Sequence, residues 1–524
     1  MAKVDFKKKV VKALEPIWTR IKDVLKPDGV RSKGDTYLPR PNPTDQSDEN
    51  KARYDQLLVR AVFFGFTART LRGMCGQVFS RPHVLKLPDT LTVLENDVDG
   101  NGTTLKQQAK QVVSTVLSTG RAGLLVDHPD MGDEEASLAQ IEDNRLLPKI
   151  LMFKDEEIIN WDTAVIGGHQ KLTLVVLEQK VTRRKNTFEE EEIPQFIVLR
   201  LLTPEDLGLE EDDDRANVDP SQLEVDEEIA TDSNAAPGVY IMEIWKRSKD
   251  SDNTEGESDE FIRESSIIPL KSDGPFTEIP FQPVGWEDND IEPNDPPLAE
   301  MAELNIAHWR NSADYQESTH IAGQATPVLT GLTEQWVKEV LKGKIHLGAR
   351  AAIFLPEGGE ATLLQAEANS APKESMDMIK EDAIAIGARL IDPSTPLAQS
   401  ATAAAIDAAE EVSVLTSSVE NTTEAYNQAL KWCAEFVGVD VPDVLDTRKE
   451  SGPYMELNTD FAVNNMSPEE RKVLMAEWQS DGISTTEYRR NLERGGIAFQ
   501  SKEDYERDLA NSGLPTPPEN TPPE

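Results

Sequence analysis

The sequence predicts an α+β chain built for assembly. Two patterns carry that expectation. Over residues 51–285, short runs rich in Val, Ile and Leu, bounded by turns or charge, follow stretches of helical periodicity. Over 297–437 the order is helix, compact turn-and-strand insertion, second helix, proline-marked loop, and one very long helix. The 524 residues suffice for roughly three domains at about 150 residues each.

Composition narrows the classes of function. Against 54 Lys and Arg stand 95 Asp and Glu, a net charge of −41. Gripping nucleic acid over the whole surface needs cations that neutralise phosphates, so such a chain is poorly suited to it. A surface that stays close to DNA without adhering is compatible with the same charge. No run of about 18 apolar residues offers a membrane span. The N-terminal "MAKVDFKKKVVKALEPIW" lacks the apolar core of a secretory signal. Cys75 and Cys433 read as free core thiols of a protein made in a reducing cytoplasm.

Residues 1–40 carry eleven Lys and Arg against five Asp and Glu. A basic amphipathic helix is expected over 4–25, with Val4, Val11, Leu14, Ile17, Trp18, Ile21 and Leu25 on its apolar side. It can dock on its own chain or serve as an arm that reaches a neighbour. "PRPNPTDQSDEN" at 39–50 reads as a polar linker closing this 1–50 segment. One helix is expected over 51–80, from the spacing of Tyr54, Leu57, Leu58, Ala61, Phe64 and Leu71, and a second over about 104–119. Strands are expected at 121–127, 149–153, "IINW", 171–180, 195–203 and 239–247. Glu189 to Glu192, 205–232 with thirteen Asp and Glu, and 250–260 are dense acidic runs, expected to be solvated loops between strands.

In the helix at 297–320, Leu298, Ala302, Ile306, Trp309 and Ala313 fall on one stripe at about 100° per residue, with Glu300, Glu303, Arg310, Asn311, Asp314 and Glu317 opposite. Met301, Leu304 and Ala307 widen the apolar side, so neighbours are expected on more than one flank. The insertion at 321–368 holds candidate strands "TPVLT", "AAIFL" and "ATLLQ", with a short helix near 334–342. A second helix spans about 372–390, and "IDPSTPLAQSAT" interrupts it. The long helix at 401–437 carries Ala401, Ala405, Ala408, Val412, Leu415, Val419, Thr422, Tyr426, Ala429, Cys433 and Phe436 at alternating spacings of four and three. Its small and polar members favour a strut lying across a domain over a coiled coil. Short helices follow, one opened by Ser467-Pro468-Glu469-Glu470, one by Thr485 and one by Ser501, before the proline-rich tail "NSGLPTPPENTPPE".

Catalytic signatures do not emerge. Gly343-Lys344 is followed by Ile345, so no P-loop exists, and the six histidines are scattered. Asp97, Asp99, Asn101 and Gly102 match the opening of a calcium loop, but its twelfth position is Gln108 instead of a bidentate Glu. The alternative is an Asp/Asn/Gly turn leading into a helix capped by Thr103 or Thr104, with Gln107 in the capping box. Lys338, Lys342, Lys344 and Arg350 form a basic cluster in the insertion, read either as solvated charge, as a docking surface, or as a collar around passing DNA.

The joint order of "RAVFFGFTARTLRGMCGQVFSRP", "LSTGRAGLLVDHP", "EEIINW", "IPFQPVG", "PPLAEMAELNIAHWRNSADYQESTHIAGQATPVL" and "ATAAAIDAAEEVSVL" resembles the portal proteins of tailed bacteriophages over about 50–510. The resemblance implies a ring, usually of twelve subunits, at one capsid vertex of the virion, assembled in the host cytoplasm. It implies a wing over 51–296, a first stem helix at 297–320, a clip at 321–368 and a second stem helix at 369–390. A tunnel loop at 391–400, a long wing helix within 401–450 and a helical crown over 451–510 complete it. Leu298, Ala302, Ile306 and Trp309 would then pack between subunits, and Asp392, Pro393, Ser394, Thr395 and Pro396 would face DNA. The clip would meet terminase and later the tail adaptor, the major capsid protein would surround the ring, and neither cofactor nor catalysis is implied. A non-portal capsid or tail-connector protein without a DNA channel is the alternative expectation.

Overall fold

The computed structural model describes residues 3–127, 147–202, 238–247, 261–341, 355–390, 413–459, 461 and 468–494, less positions 27, 167, 185, 272, 273, 325, 366, 368 and 481. The main helices are α1 (Lys9–Leu25), α2 (Asp48–Arg60), α3 (Phe66–Val78), α4 (Leu105–Thr119), α5 (Ala299–Ala322), α6 (Ala371–Arg389), α7 (Val414–Phe436), α8 (Leu445–Ser451), α9 (Pro468–Gln479) and α10 (Thr485–Arg494). The chain divides into two compact units, Met1–Leu457 and Asn458–Glu524.

The core of the first unit is a three-stranded antiparallel sheet. β1 (Val84–Lys86) lies outside it, while β2 (Arg121–Asp127) runs between β3 (Lys149–Lys154) and the later strand Phe281–Gly285. Helices α4 and α7 pack on this sheet. Burial on both faces explains why "RAGLLVD" is a continuous apolar run and not an alternating one. Helix α4 starts where its capping box directs: Thr104 accepts from the Gln107 amide, and the Gln107 side chain accepts from the Thr104 amide. It stops at Gly120, whose φ of +84° is left-handed and whose added Cβ would lie 2.8 Å from the Asn294 carbonyl oxygen. On α7, Leu415, Val419, Thr422, Tyr426, Ala429, Cys433 and Phe436 are all buried, so the expected stripe is the core-facing stripe. Its earlier members Ala401, Ala405, Ala408 and Val412 lie outside the described residues.

A second, five-stranded antiparallel sheet has the order β4 (Ile158–Ile166), β5 (His169–Arg184), β6 (Glu190–Leu201), β7 (Tyr240–Arg247), β8 (Phe261–Ile267). Buried Glu243 clamps three of its strands, accepting from Arg200 at 2.9 Å, Arg263 at 3.3 Å and Trp245 Nε1 at 2.9 Å. One expectation is corrected here: Glu190 to Glu192 are not loop but strand, paired in register with Arg184, Arg183 and Thr182. Basic residues opposite them relieve the self-repulsion that would otherwise hold the run out of a ladder. The acidic runs 205–232 and 250–260 lie outside the described residues.

The single helix expected over 51–80 is also corrected, because α2 ends at Arg60 and α3 begins at Phe66. Buried side chains of α5 take up the backbone groups freed by the break. Ser312 Oγ accepts from the Val62 amide at 3.0 Å and donates to the Val62 carbonyl at 2.8 Å. Asn305 donates to the Phe64 carbonyl at 3.1 Å and accepts from the Thr67 amide and hydroxyl at 3.3 and 3.0 Å. Local periodicity favoured continuity; tertiary hydrogen bonds favoured the break.

Within the second unit, α9 and α10 pack together through stacked Trp478 and Tyr488 rings, 4.8 Å between centroids. Ser484, one residue before the expected Thr485, caps α10 reciprocally with Glu487. The third expected helix and the tail lie outside the described residues.

Candidate assembly site: the two-helix arm

Helix α5 changes character along its length. Met301, Ala302, Asn305, Ile306, His308, Trp309, Ser312 and Ala313 are buried, and from Asp314 to its end no residue is. The buried half is enclosed by α1, α2, α3 and α6 of the same chain. Arg20 on α1 meets Glu303, Arg310 Nε reaches the Tyr37 carbonyl at 2.5 Å, and Arg53 on α2 binds Glu317 at 2.7 Å. Leu298, Ala302, Ile306 and Trp309 are 0%, 0%, 4% and 0% exposed, so they cannot also pack against a neighbour as the sequence suggested. Helix α1 supplies that cover. Val11, Leu14, Trp18, Ile21 and Val24 are buried, and Trp18 Nε1 donates to the Thr119 carbonyl at 2.9 Å. The N-terminal helix thus docks on its own chain instead of reaching out as an arm.

Beyond Ala313, α5 and α6 run on as a pair. Asn311 donates to Ser375 Oγ at 2.8 Å, Ser318 Oγ accepts from the Asn369 amide at 2.9 Å, and Gln365 donates to the Ala322 carbonyl at 2.9 Å. The pair is capped by a two-stranded sheet of β12 (Thr326–Thr330) and β13 (Glu360–Leu364), β9 to β11 being Leu270–Lys271, Gly274–Pro275 and Phe281–Gly285. The expected strand at "AAIFL" falls mostly outside the described residues, whereas the short helix is present as Glu334–Trp336 with a π-helical extension to Leu341. All five residues of β13 are exposed. Two strands without a covering layer are marginal in water.

Large apolar side chains are exposed both on the arm (Ile321, Leu363 and Leu364, at 48%, 67% and 67%) and on the part of α6 beside the buried half of α5 (Met378 and Ile384, at 66% and 72%). Met378 and Ile384 are six residues apart on α6, which turns them roughly 120° from one another. Covering each side chain fully is worth roughly 1.5–3 kcal/mol. At the arm's root, burial followed by the adjacent Glu317 raises the Asp314 carboxyl above the ordinary range.

Of the basic cluster, Lys338 is paired with Glu334 at 2.9 Å, both side chains strongly exposed, an arrangement worth little to stability. Lys342, Lys344 and Arg350 lie outside the described residues, as do Asp392, Pro393, Ser394, Thr395 and Pro396 of the tunnel loop. At the calcium-like loop, Asp97 Oδ1 accepts from the Gly100 and Gly102 amides at 2.7 and 2.9 Å, and Asp99 Oδ1 from the Asn101 amide at 2.9 Å. Gln108, in the twelfth position, turns into the core, donating to the Ile150 carbonyl at 2.7 Å and accepting from the Tyr426 hydroxyl at 3.1 Å. The loop is a self-bonded turn. Among the described residues no group of three His, Cys, Asp or Glu side chains is placed to hold a metal, and no described helix is long and apolar enough to cross a membrane.

Two features escaped the sequence reading. Asn305, His308 and Ser312 recur at helical spacing inside the apolar side of α5, a visible signal that this face meets a backbone and not only a core. Arg121 opens an otherwise apolar strand, is fully buried, and lies 4.3 Å over the Trp161 ring while donating to the Ile158 and Ile291 carbonyls. Burial lowers its pKa to about 9, which still leaves it charged at neutral pH.

A family model described as "Domain of unknown function (DUF4055)" matches residues 297–437. No curated protein matches the chain. Among solved structures, a chain from "Neck of native GTA particle computed with C12 symmetry" is similar at 11% identity and TM-score 0.37, covering 93% of this chain and 99% of that one. A chain from "Virion of native gene transfer agent (GTA) particle" is similar at 12% identity and TM-score 0.38, covering 90% and 99%. A superposition this loose says nothing by itself about what the chain does.

Proposed function

We propose that this chain is a structural component of a tailed-phage-like particle, and specifically the portal: a ring of identical subunits at one capsid vertex. Through the ring double-stranded DNA passes during packaging and ejection, and on it terminase and then the tail adaptor dock. One observation carries the reading. The α5–α6 pair and its two-stranded cap leave Ile321, Leu363, Leu364, Met378 and Ile384 bare on more than one flank, and adjacent copies around an axis are the simplest cover for both flanks at once. The order of sequence segments supports the same reading. So does the charge of −41, because an acidic wall repels phosphate where a basic one would hold it through counterion release.

Particle imaging of the purified chain tests this. A closed annulus with a central hole wide enough for a duplex is expected, and Met378→Asp with Ile384→Asp should leave folded, unassembled chains. A monomer at all concentrations, or an assembly without an axial hole, would overturn the portal reading. The second outcome would favour a connector or capsid protein without a channel.

A further inference from the structure

The turn that resembles the opening of a calcium loop carries a different chemistry. Asn101-Gly102 is the one Asn-Gly pair in the sequence. Both residues are exposed. Gly102 has a φ of +81°, and among the described residues nothing beyond its chain neighbours lies within 4 Å of where a Cβ would stand. Its nitrogen donates to Asp97 Oδ1 at 2.9 Å. These are the parts a backbone nitrogen needs to attack the side chain before it. The Gly102 nitrogen and Asn101 Cγ close a five-membered ring, a residue without Cβ lets them approach, and a carboxylate stands where the amide proton must leave.

Neighbouring candidates lack one part or another. Asp99-Gly100 has the same spacing without the electrophile. Burial pushes the Asp99 carboxyl up, but hydrogen bonds from Asn101 and Thr103 outweigh it and hold the group below the ordinary range, so it stays ionised. An ionised carboxylate resists attack, and a neutral side-chain amide does not. Asn311-Ser312 lies inside α5 with Ser312 buried. Asn369-Ser370 is exposed, but there the attacking nitrogen belongs to a residue with a side chain.

We infer that Asn101 is a site of spontaneous deamidation at the entry to α4, and that its product uncaps that helix. The Gly102 nitrogen bonds to Asn101 Cγ, its proton passes by way of Asp97 or water to the side-chain nitrogen, and ammonia leaves. Water then opens the succinimide at either carbonyl, giving Asp or, with the backbone rerouted through Cβ, isoaspartate. The net change is a water consumed, an ammonium ion released and a negative charge gained. The turn is wired into the fold, so the product is felt beyond it. The Val98 amide donates to the Thr103 carbonyl at 2.8 Å, and the Ile150 amide on β3 donates to the Val98 carbonyl at 2.8 Å. Thr104 follows directly and accepts from the Gln107 amide at 3.2 Å. An isoaspartyl link adds one backbone atom ahead of Gly102, and the new charge lands beside Asp97 and Asp99. Both changes draw Thr104 off the Gln107 amide. Ring assembly plays no part in the reaction.

The test holds the full chain at mildly alkaline pH and follows it by peptide mapping, with isoaspartyl methyltransferase labelling to mark the rerouted product. Conversion at Asn101 should outpace conversion at Asn369 by at least about tenfold, and should run within about tenfold of its rate in the denatured chain. Asn101→Gln, which would need a six-membered ring, should suppress it, and Asn101→Asp should carry the same charge without the isoaspartyl label. Hydrogen exchange at the Gln107 amide should quicken about fivefold in the converted fraction, while circular dichroism shows the body still folded. An intact Asn101 under conditions that convert the denatured chain would overturn the site, as would conversion no faster than at Asn369. Label retained in Asn101→Gln would put the reaction elsewhere and refute the assignment. Conversion with unaltered exchange at Gln107 would overturn the uncapping of α4.

Discussion

Changing Asn305 to Ala tests whether the break between α2 and α3 is held by α5. Asn305 is fully buried and closes three hydrogen bonds of 3.0–3.3 Å across that break. Truncation leaves the buried Thr67 amide without its partner, while the Phe64 carbonyl keeps the Phe66 amide at 2.8 Å. At about 1–3 kcal/mol for a buried group left unsatisfied, the expected loss is roughly 1–3 kcal/mol. Denaturant unfolding at fixed protomer concentration measures the total, and hydrogen exchange at Val62 and Thr67 localises it. Ser312→Ala, which strips the other end of the break, should show coupling with Asn305→Ala in a double-mutant cycle. A loss under about 0.5 kcal/mol with unchanged protection at both amides would show that the break is set by local sequence, and the argument would fail.

Other expectations follow from buried groups. Burial raises the thiols of Cys75 and Cys433 above the ordinary range, so a thiol reagent should react with neither in the native protein and with both after denaturation; fast native labelling would contradict their placement. His308 is held neutral by burial and then by Lys380, its pKa lowered from 6.5, and among the described residues neither ring nitrogen has a hydrogen-bond partner. The unfolded chain therefore takes up the proton first, so this contribution is full above the unfolded value and is lost as pH falls through the lowered one. His308→Leu should flatten the drop in melting temperature between pH about 7.5 and about 5.5, and an unchanged drop would rule the residue out as its source. Arg121→Met should cost roughly 2–4 kcal/mol in the same denaturant assay, and Arg121→Lys nearly as much, because the stack on Trp161 needs a planar cation; a neutral Lys substitution would refute that role.

Much of the body was readable from the chain. Strands 121–127, 149–153 and 239–247 were legible because short apolar runs between turns have few other fates, and the cap at Thr104 because its chemistry is local. The burial of the α7 stripe followed from spacing alone. What the sequence hid was partnership. The apolar stripe of α5 announces that something covers it, but periodicity does not distinguish another copy from α1, nearly three hundred residues upstream in the same chain. The break at 61–65 was invisible for the same reason, since its hydrogen-bond partners sit at 305 and 312. Glu190 to Glu192 read as loop because charge density was judged along the strand, while Arg184 stands across it. The outward face of the arm became visible only as the remainder once α1 had claimed the inward one.

The seat of α1 also fixes when this protein can exist. Trp18 needs Thr119, Arg20 needs Glu303, and Gln108 waits for Tyr426, 318 positions later. A ribosome delivers the first helix long before its partners, so the body cannot close until most of the message has been read. A prematurely terminated chain therefore lacks the means to hold an arm in place. A chain that ends before Tyr426 leaves the buried Gln108 side chain without one partner and the central sheet without α7, so its body cannot close.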